Sequence, residues 1–293
     1  SSYKPNANLQ FDYDALLKNS KQDENNSLFT QSFATATNGT PPAIPDQRIS
    51  SFKQQDPVTL TQNLSLYYTK SDKSVFDIEI QHLYQDEDPF YNANLGQNPF
   101  PILGLQTQNR YNINQTRFIK TNKLDAKVDY YYMVTPKSNI NFTFGNTYSI
   151  QNFNSHIFQI LDNGTTNDLN SADKNNNVMY FFNDSFLGLH YKFITGKFTF
   201  NPGFSAHYYK TYNEQLGTKV NDNFYRILPD VYALYQIKKA ETLTYNYSIN
   251  TDFTDINRFT AGYTFTNYNS LFRGNRYLEN AMSESHSLRY FKY

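Results

Sequence analysis

The sequence predicts an all-β chain whose antiparallel strands belong to a transmembrane barrel. Three observations carry that expectation. Segments alternating between apolar and polar residues recur along the whole chain. Short polar turns and long polar connectors follow one another in rotation. The chain is also rich in aromatics yet polar overall, with 26 Tyr and 25 Phe among 293 residues and a mean hydropathy of −0.70. A soluble core draws mainly on Leu, Ile and Val. Strands with one face on lipid and one on water use Tyr and Phe outside and Asn, Thr and Ser inside.

The elements follow in order. An opening strand falls at about residues 7–13. The turn TKSDKS around Asp72 then joins 60–69 to 76–84, and VTPKSN around Pro136 joins 124–134 to 140–150. ITGKF around Gly196 joins 186–193 to 198–208, and IKKAET around Lys239 joins 231–237 to 243–253. A closing strand from Ser285 brings the meander to about ten strands. Each turn is short, polar and flanked by alternating runs, which is the mark of a hairpin. The other connectors are long and rich in Asn, Asp, Gly, Ser and Gln, at 17–56, 85–117, 154–177, 211–223 and 254–284. Structureless loops of such length are uncommon in compact soluble domains, whereas outer-membrane barrels pair short periplasmic turns with long outer loops.

The faces agree with that medium. In LTYNYSIN, Leu243, Tyr245, Tyr247 and Ile249 share one side and polar residues the other. Phe198, Phe200 and Phe204 line up likewise, and all seven are expected to face lipid. Tyr68, Tyr132, Tyr191, Phe193, Phe198 and Tyr235 sit near the short turns, with Tyr208, Tyr209 and Phe253 further along, as two aromatic girdles. The opposite face carries Asp77, Glu79, Asp125, Lys127, Asp129, His190 and His207, expected to face the lumen.

Several function classes are disfavoured. Lys plus Arg equals Asp plus Glu at 26 each, so no basic excess points to nucleic acid. There are no cysteines, hence no thiolate nucleophile or thiolate metal site. The longest apolar run, 130–134, is far below what a membrane helix needs. The five histidines lack metal spacing, and no nucleophile elbow, P-loop or dinucleotide fingerprint occurs. No segment places a Ser beside a His and a carboxylate, so no catalytic, cofactor-binding or metal-ligating residue is assigned and no enzyme is expected. Asp86, Glu87 and Asp88 read as a solvated loop rather than a calcium site. Phe90, Tyr91, Phe100 and Phe158 are loop aromatics that serve either to stack on a ligand or to pack the loops together.

LFRGNRYLEN, followed by SHSLRYF, resembles the barrel of TonB-dependent outer-membrane receptors, particularly the outer-membrane β-barrel family of Bacteroidetes and flavobacterial type. There a loop of form G-N-P-x-L-x-P-E precedes a strand with a polar-aromatic ending. Gly274, Asn275 and Leu278 match, whereas Arg276 and Asn280 replace the two prolines and Ala281 the glutamate. QHLYQDEDPFYNANL, NKLDAKVDYYY, NFNSHIFQILDNG and LGLHYKFITGKFTFNPG are similar as well. The resemblance implies a plugged barrel of about 22 strands, importing a ligand with energy passed on by TonB. Neither plug nor TonB box is visible and both ends look cut, so residues 1–293 are expected to be part of a single outer-membrane barrel domain without its plug and C-terminal strands.

The expected function is uptake of an unidentified siderophore, glycan or peptide across the bacterial outer membrane. Its partners would be outer-membrane lipid, the TonB system through a plug outside this chain, and a surface lipoprotein, with no cofactor. The alternatives are a passive barrel or lipoprotein scaffold, and a soluble or surface β-sandwich binding module.

Overall fold

The computed structural model describes residues 2–31 and 47–293. Within the expected connector 17–56, residues 32–46 lie outside the described residues. The chain forms β1 (Ser2–Asn6), β2 (Leu9–Asn19), β3 (Gln22–Thr30), β4 (Gln47–Gln55), β5 (Val58–Ser71), β6 (Ser74–Glu87) and β7 (Phe90–Leu95). Then come β8 (Tyr111–Thr135), β9 (Ser138–Ile160), β10 (Thr166–Asp168), β11 (Asn175–Thr195), β12 (Phe198–Gln215), β13 (Thr218–Lys238) and β14 (Glu241–Asp252). A small hairpin of β15 (Tyr263–Asn267) and β16 (Ser270–Arg273) precedes β17 (Ala281–Lys292).

The fold is an antiparallel barrel wall. Strands pair in the order β1-β2-β5-β6-β8-β9-β11-β12-β13-β14-β17, so sequence neighbours are spatial neighbours once the loop-side strands are set aside. Apart from short β1, these are the ten strands read from the sequence. The four expected hairpins turn at one end of the wall, around Asp72, Pro136, Gly196 and Lys239.

At the other end the expected connectors are shorter than their sequence suggests, because the strands run on. β8 has 25 residues and β9 has 23. The expected loop 211–223 is a two-residue turn at Leu216 and Gly217 between long β12 and β13, and both residues take positive φ. Connector 17–56 holds β3 and β4, which join β7 on the upper part of β8. Connector 154–177 is largely the ends of β9 and β11 with β10 between them.

The strands run on because their apolar phase inverts. Near the tight turns, the outward row of β9 is Ile140, Phe142, Phe144, Asn146 and Tyr148, four of the five carrying rings or an aliphatic chain, with Phe144 59% exposed. Further up, the apolar residues stand on the opposite parity, at Phe153 and Ile157, and both are fully buried on the inner face. Ile113, Val178 and Tyr180 join them there. Successive side chains on a strand alternate faces, so one continuous strand is apolar-out below and apolar-in above.

Two aromatic rings mark the lower and upper limits of the outward apolar band. The lower includes Tyr68, Tyr132, Tyr191, Phe198 and Tyr235, with Phe198 and Tyr235 rings 4.5 Å apart. The upper is Tyr148, Phe181 and Tyr212 in series, 5.3 and 4.9 Å apart, with Tyr208 beside Tyr225. Tyr209 and Phe253, expected in the outer girdle, do not belong to it. Tyr209 is buried on the inner face with its ring 4.9 Å from Phe253, because an odd position in β12 points inward.

Candidate functional site

The inner face is built from cross-strand rows. Register sets Glu79 opposite Lys127 and Asp77 opposite Asp129, and the row continues through β9, β11 and β12 to His207. Asp77, Glu79, Asp125, Lys127, Asp129, His190 and His207 therefore share one face, as their alternation predicts. Lys127 Nζ lies 3.3 Å from both Glu79 and Asp129. Asp129, itself buried, also accepts from the Thr143 hydroxyl and from Asn141 at 3.3 Å. Asp125 accepts from Thr147 at 2.6 Å and pairs with Lys123 at 2.9 Å. Like charges directly opposite one another destabilise a sheet, and Lys127 offsets that cost where Asp77 faces Asp129.

The two histidines do not form a joint site. His190 Nε2 meets Asp230 at 2.8 Å, and His207 Nδ1 meets Asp184 at 2.9 Å. His207 Nε2 also lies 2.8 Å from Ser205 Oγ. The structure thus sets a Ser beside a His and a carboxylate, which the linear sequence does not show. Ser205 itself sits in mid-strand, paired with Gly188 of β11 and Leu228 of β13. Small residues make room for these rings. A Cβ at Gly203 would lie 2.0 Å from His190, and one at Gly145 would lie 2.2 Å from Phe186, whose ring stacks on His207 at 5.0 Å.

Above this polar patch the segment 253–280 folds over the inner face. Its fastenings are side-chain amides of the long strands. Gln115 donates to the Phe265 carbonyl at 3.3 Å and accepts from the Phe265 N–H at 2.7 Å. Asn176 accepts from Gly262 N–H at 2.8 Å and donates to the Tyr263 carbonyl at 3.4 Å. Gln215 donates to the Phe259 carbonyl at 2.7 Å and accepts from Ala261 N–H at 3.0 Å. Gln159 holds the loop residue Gln106 in the same manner, at 2.9 and 2.8 Å. Each amide substitutes for a missing strand neighbour, satisfying backbone groups that are costly to bury unpaired.

Apolar packing backs these clasps. Ile256 and Phe259 pack with Phe153, Val178 and Tyr180, and Phe265 packs with Leu103, Ile113 and Ile157. Tyr180 stacks on Phe259 at 4.7 Å, and burial pushes its phenol up to about 12. Of the loop aromatics, Tyr91 and Phe100 close on Phe265 at 6.1 and 5.4 Å. Phe90 packs on Phe52 and Phe158 stacks on His156. Phe90, Tyr91 and Phe100 thus meet rings of other loop-side elements, whereas Phe158 meets a residue of its own strand.

Two spaces flank the segment where it leaves β14. An open cleft of about 760 Å³ lies below, lined by Asp184, His207, Tyr209 and Asp230. A smaller cavity of about 260 Å³ lies above, between the segment and the β12–β13 hairpin. Tyr180, Phe253 and Thr254 line both. Among the described residues no cluster of His, Asp and Glu is arranged to hold a metal ion.

On the outer face, register aligns Phe198 with Tyr235 and Leu243, and Phe200 with Ala233 and Tyr245. Phe204, Tyr247 and Ile249 continue the same parity. The partners Asp184 and Asp230 escape sequence reasoning because the expected strands begin at 186 and 231, just past these residues, whereas β11 and β13 begin at Asn175 and Thr218. Their parity within longer strands is the signal that finds them. The clasping amides carry no such signal, since Gln115 and Gln215 look like any other polar position of an alternating strand.

No protein-family model matches the chain, and no curated protein matches it. Among solved structures it is similar to BauA, the ferric preacinetobactin receptor of Acinetobacter baumannii, with 9% identity and a TM-score of 0.49 over 98% of this chain and 48% of that one. It is also similar to FyuA, the ferric yersiniabactin uptake receptor of Yersinia pestis, with 11% identity and a TM-score of 0.39 over 98% and 47%. PiuA, a siderophore receptor of A. baumannii, gives 8% identity and 0.37 over 84% and 50%. The chain spans about half the length of each.

Proposed function

We propose that this chain is part of the wall of an outer-membrane barrel of the TonB-dependent receptor kind, serving ligand uptake rather than catalysis. The phase inversion supports this reading above all. A band of exposed apolar side chains, closed above and below by aromatics, needs a non-aqueous neighbour; the polar outer surface above it needs water. The dimensions agree. On β12 the outward run from Phe198 to Tyr208 covers ten steps. At about 3.4 Å per step and about 40° of tilt this is a band about 26 Å tall, against about 25 Å for such membranes. A soluble sandwich has no use for such a band.

In this reading residues 1–293 belong to one barrel domain, and Leu243, Tyr245, Tyr247, Ile249, Phe198, Phe200 and Phe204 face lipid. Asp77, Glu79, Asp125, Lys127, Asp129, His190 and His207 face the lumen, where a plug answering to TonB would sit. Ligand would be captured at the loop end, under or beside segment 253–280. A Bacteroidetes-type lineage and a surface lipoprotein partner belong to the same proposal.

The chain contains no Trp, which permits a clean test. Leu187, 62% exposed on the outer face, and Asn154, on the outer face above the band, are each replaced by Trp. In vesicles whose lipids carry bromine near the bilayer centre, Leu187→Trp is expected to be quenched and Asn154→Trp to stay bright. Equal brightness of the two would overturn the membrane reading.

A further inference from the structure

Above the upper aromatic ring, we infer that the outer face of β8, β9 and β11 carries a binding site for an uncharged sugar of the outer-leaflet glycolipid. The site is a shallow groove of about 330 Å³. Register builds it from two cross-strand rows. Thr116 stands opposite His156 and His156 opposite Asn175; Phe118 stands opposite Asn154 and Asn154 opposite Asn177. Thr116, Phe118, Asn154, His156 and Asn175 line the groove, and Asn177 adjoins it. All six point outward, because the residues between them point to the lumen, where Arg117 donates to Asn257 at 3.3 Å and Asn176 accepts from Gly262 N–H.

The polar groups of this groove are open to a ligand. Thr116, Asn154 and Asn177 are solvent-exposed, and among the described residues their side chains have no hydrogen-bond partner. An amide offers two donors and an acceptor, and a hydroxyl offers both roles, which suits a ring bearing neighbouring hydroxyls. Asn175 and Asp168 hold His156, the latter at 3.4 Å, so the imidazole has a fixed orientation. Phe158 stacks on it from the side away from Asn154. Phe118 is half-buried and stacks on no other ring. A free aromatic face, negative by its quadrupole, receives the C–H side of a sugar.

Charge and height select the ligand. On the long upper strands, the outward positions within 112–122, 150–160 and 175–183 carry asparagine repeatedly and neither Asp nor Glu. Their one permanent cation, Lys120, is paired with Asp86 at 3.7 Å. A charged ligand therefore finds no counter-charge here. Asn154 stands six residues above Tyr148 of the upper ring, which on a tilted strand is about 16 Å. In a bacterial outer membrane that level is occupied by the sugars of the outer-leaflet glycolipid. The groove faces them, and not the lumen through which a transported ligand would pass.

This inference rests on the membrane reading and is tested separately from it. The folded protein in detergent is mixed with lipid A, with lipid A carrying its core oligosaccharide, or with the free core oligosaccharide. Binding is followed by native mass spectrometry. Saturable binding of the core-bearing form, about tenfold tighter than that of lipid A, is expected. Replacing both Asn154→Ala and Asn177→Ala is expected to remove that advantage and leave lipid A binding unchanged. Both side chains are exposed and unbonded, so the variant is expected to keep its folded gel mobility. Thr116→Val, which keeps a strand-forming shape, gives a second reading with a smaller loss. Equal binding of the two lipids, or an undiminished advantage in the folded variants, would overturn the site. Equal binding of the free oligosaccharide would overturn the glycolipid as its source. If Leu187→Trp is quenched by bromolipid while these results fail, the sugar site alone falls; if Leu187→Trp stays bright, the membrane reading falls first.

Discussion

Gln115 and Phe265, 150 residues apart in sequence, exchange two hydrogen bonds as if they were partners in adjacent strands. Gln115 is fully buried, so its amide has no water to fall back on. Replacing it with Leu removes both bonds and strands the backbone groups of Phe265. The expected cost is about 1–3 kcal/mol, confined to segment 253–280. Hydrogen exchange is the measurement: the Phe265 amide is expected to exchange faster while amides in the middle of β9 keep their protection. Unchanged exchange at Phe265 would remove the clasp from the account.

The medium outside the wall decides what Leu187 tolerates. In water, a residue this exposed accepts Arg with little effect, within about 0.5 kcal/mol. At the middle of a bilayer the same change costs about 2–4 kcal/mol. Equilibrium unfolding of the protein in lipid vesicles distinguishes the two, with Asn154→Arg as the neutral control. The larger value is expected for Leu187→Arg.

Tyr180 gives a pH dependence with a definite sign. Its phenol titrates near 10 when unfolded and at about 12 in the fold, because burial disfavours the phenolate. Above pH 10 the unfolded chain therefore binds fewer protons at this group than the folded chain does. Stability is full below pH 10 and falls between 10 and 12, by about 1 kcal/mol for each pH unit. Tyr180→Phe removes that share of the alkaline slope. Denaturant midpoints between pH 9 and 11.5 are the check, and identical slopes in the two proteins would contradict it.

Lys127 holds the carboxylates of Glu79 and Asp129 together, yet its side chain is 40% exposed. Solvent screening therefore limits the loss in Lys127→Met to about 1 kcal/mol. Adding Asp129→Asn to that variant is expected to restore part of it, because the carboxylate opposite Asp77 is then replaced by a neutral amide. A double-mutant cycle with no coupling between positions 127 and 129 would remove the pair from the stability of the wall.

The wall is largely legible in the sequence because alternation is a local property. Ten strands, four tight turns and the inner face bearing Asp77, Glu79, Asp125, Lys127, Asp129, His190 and His207 follow from period two alone. What escapes is non-local. Asp184 belongs with His207, and Asp230 with His190, only once β11 and β13 are known to run beyond their apolar stretches. The clasps of Gln115, Asn176 and Gln215 join strand to loop across long separations, and nothing near those residues announces a partner. The length of the upper strands escapes for a different reason. Where the apolar phase changes parity, a reading that follows a single phase takes the change for the end of the strand.

That change of parity also works as a mechanical detent. A strand of uniform alternation can slide by two residues against its neighbours and keep every side chain on its proper face. Strands β8, β9 and β11 cannot, because each carries its crossover at a fixed height and the three crossovers lie side by side. A slip of two would set an outward Phe against a neighbour's Asn on one side and open a gap beside Phe153 on the other. Axial alignment is thereby written into each strand separately, and the wall has one depth at which all of its strands agree.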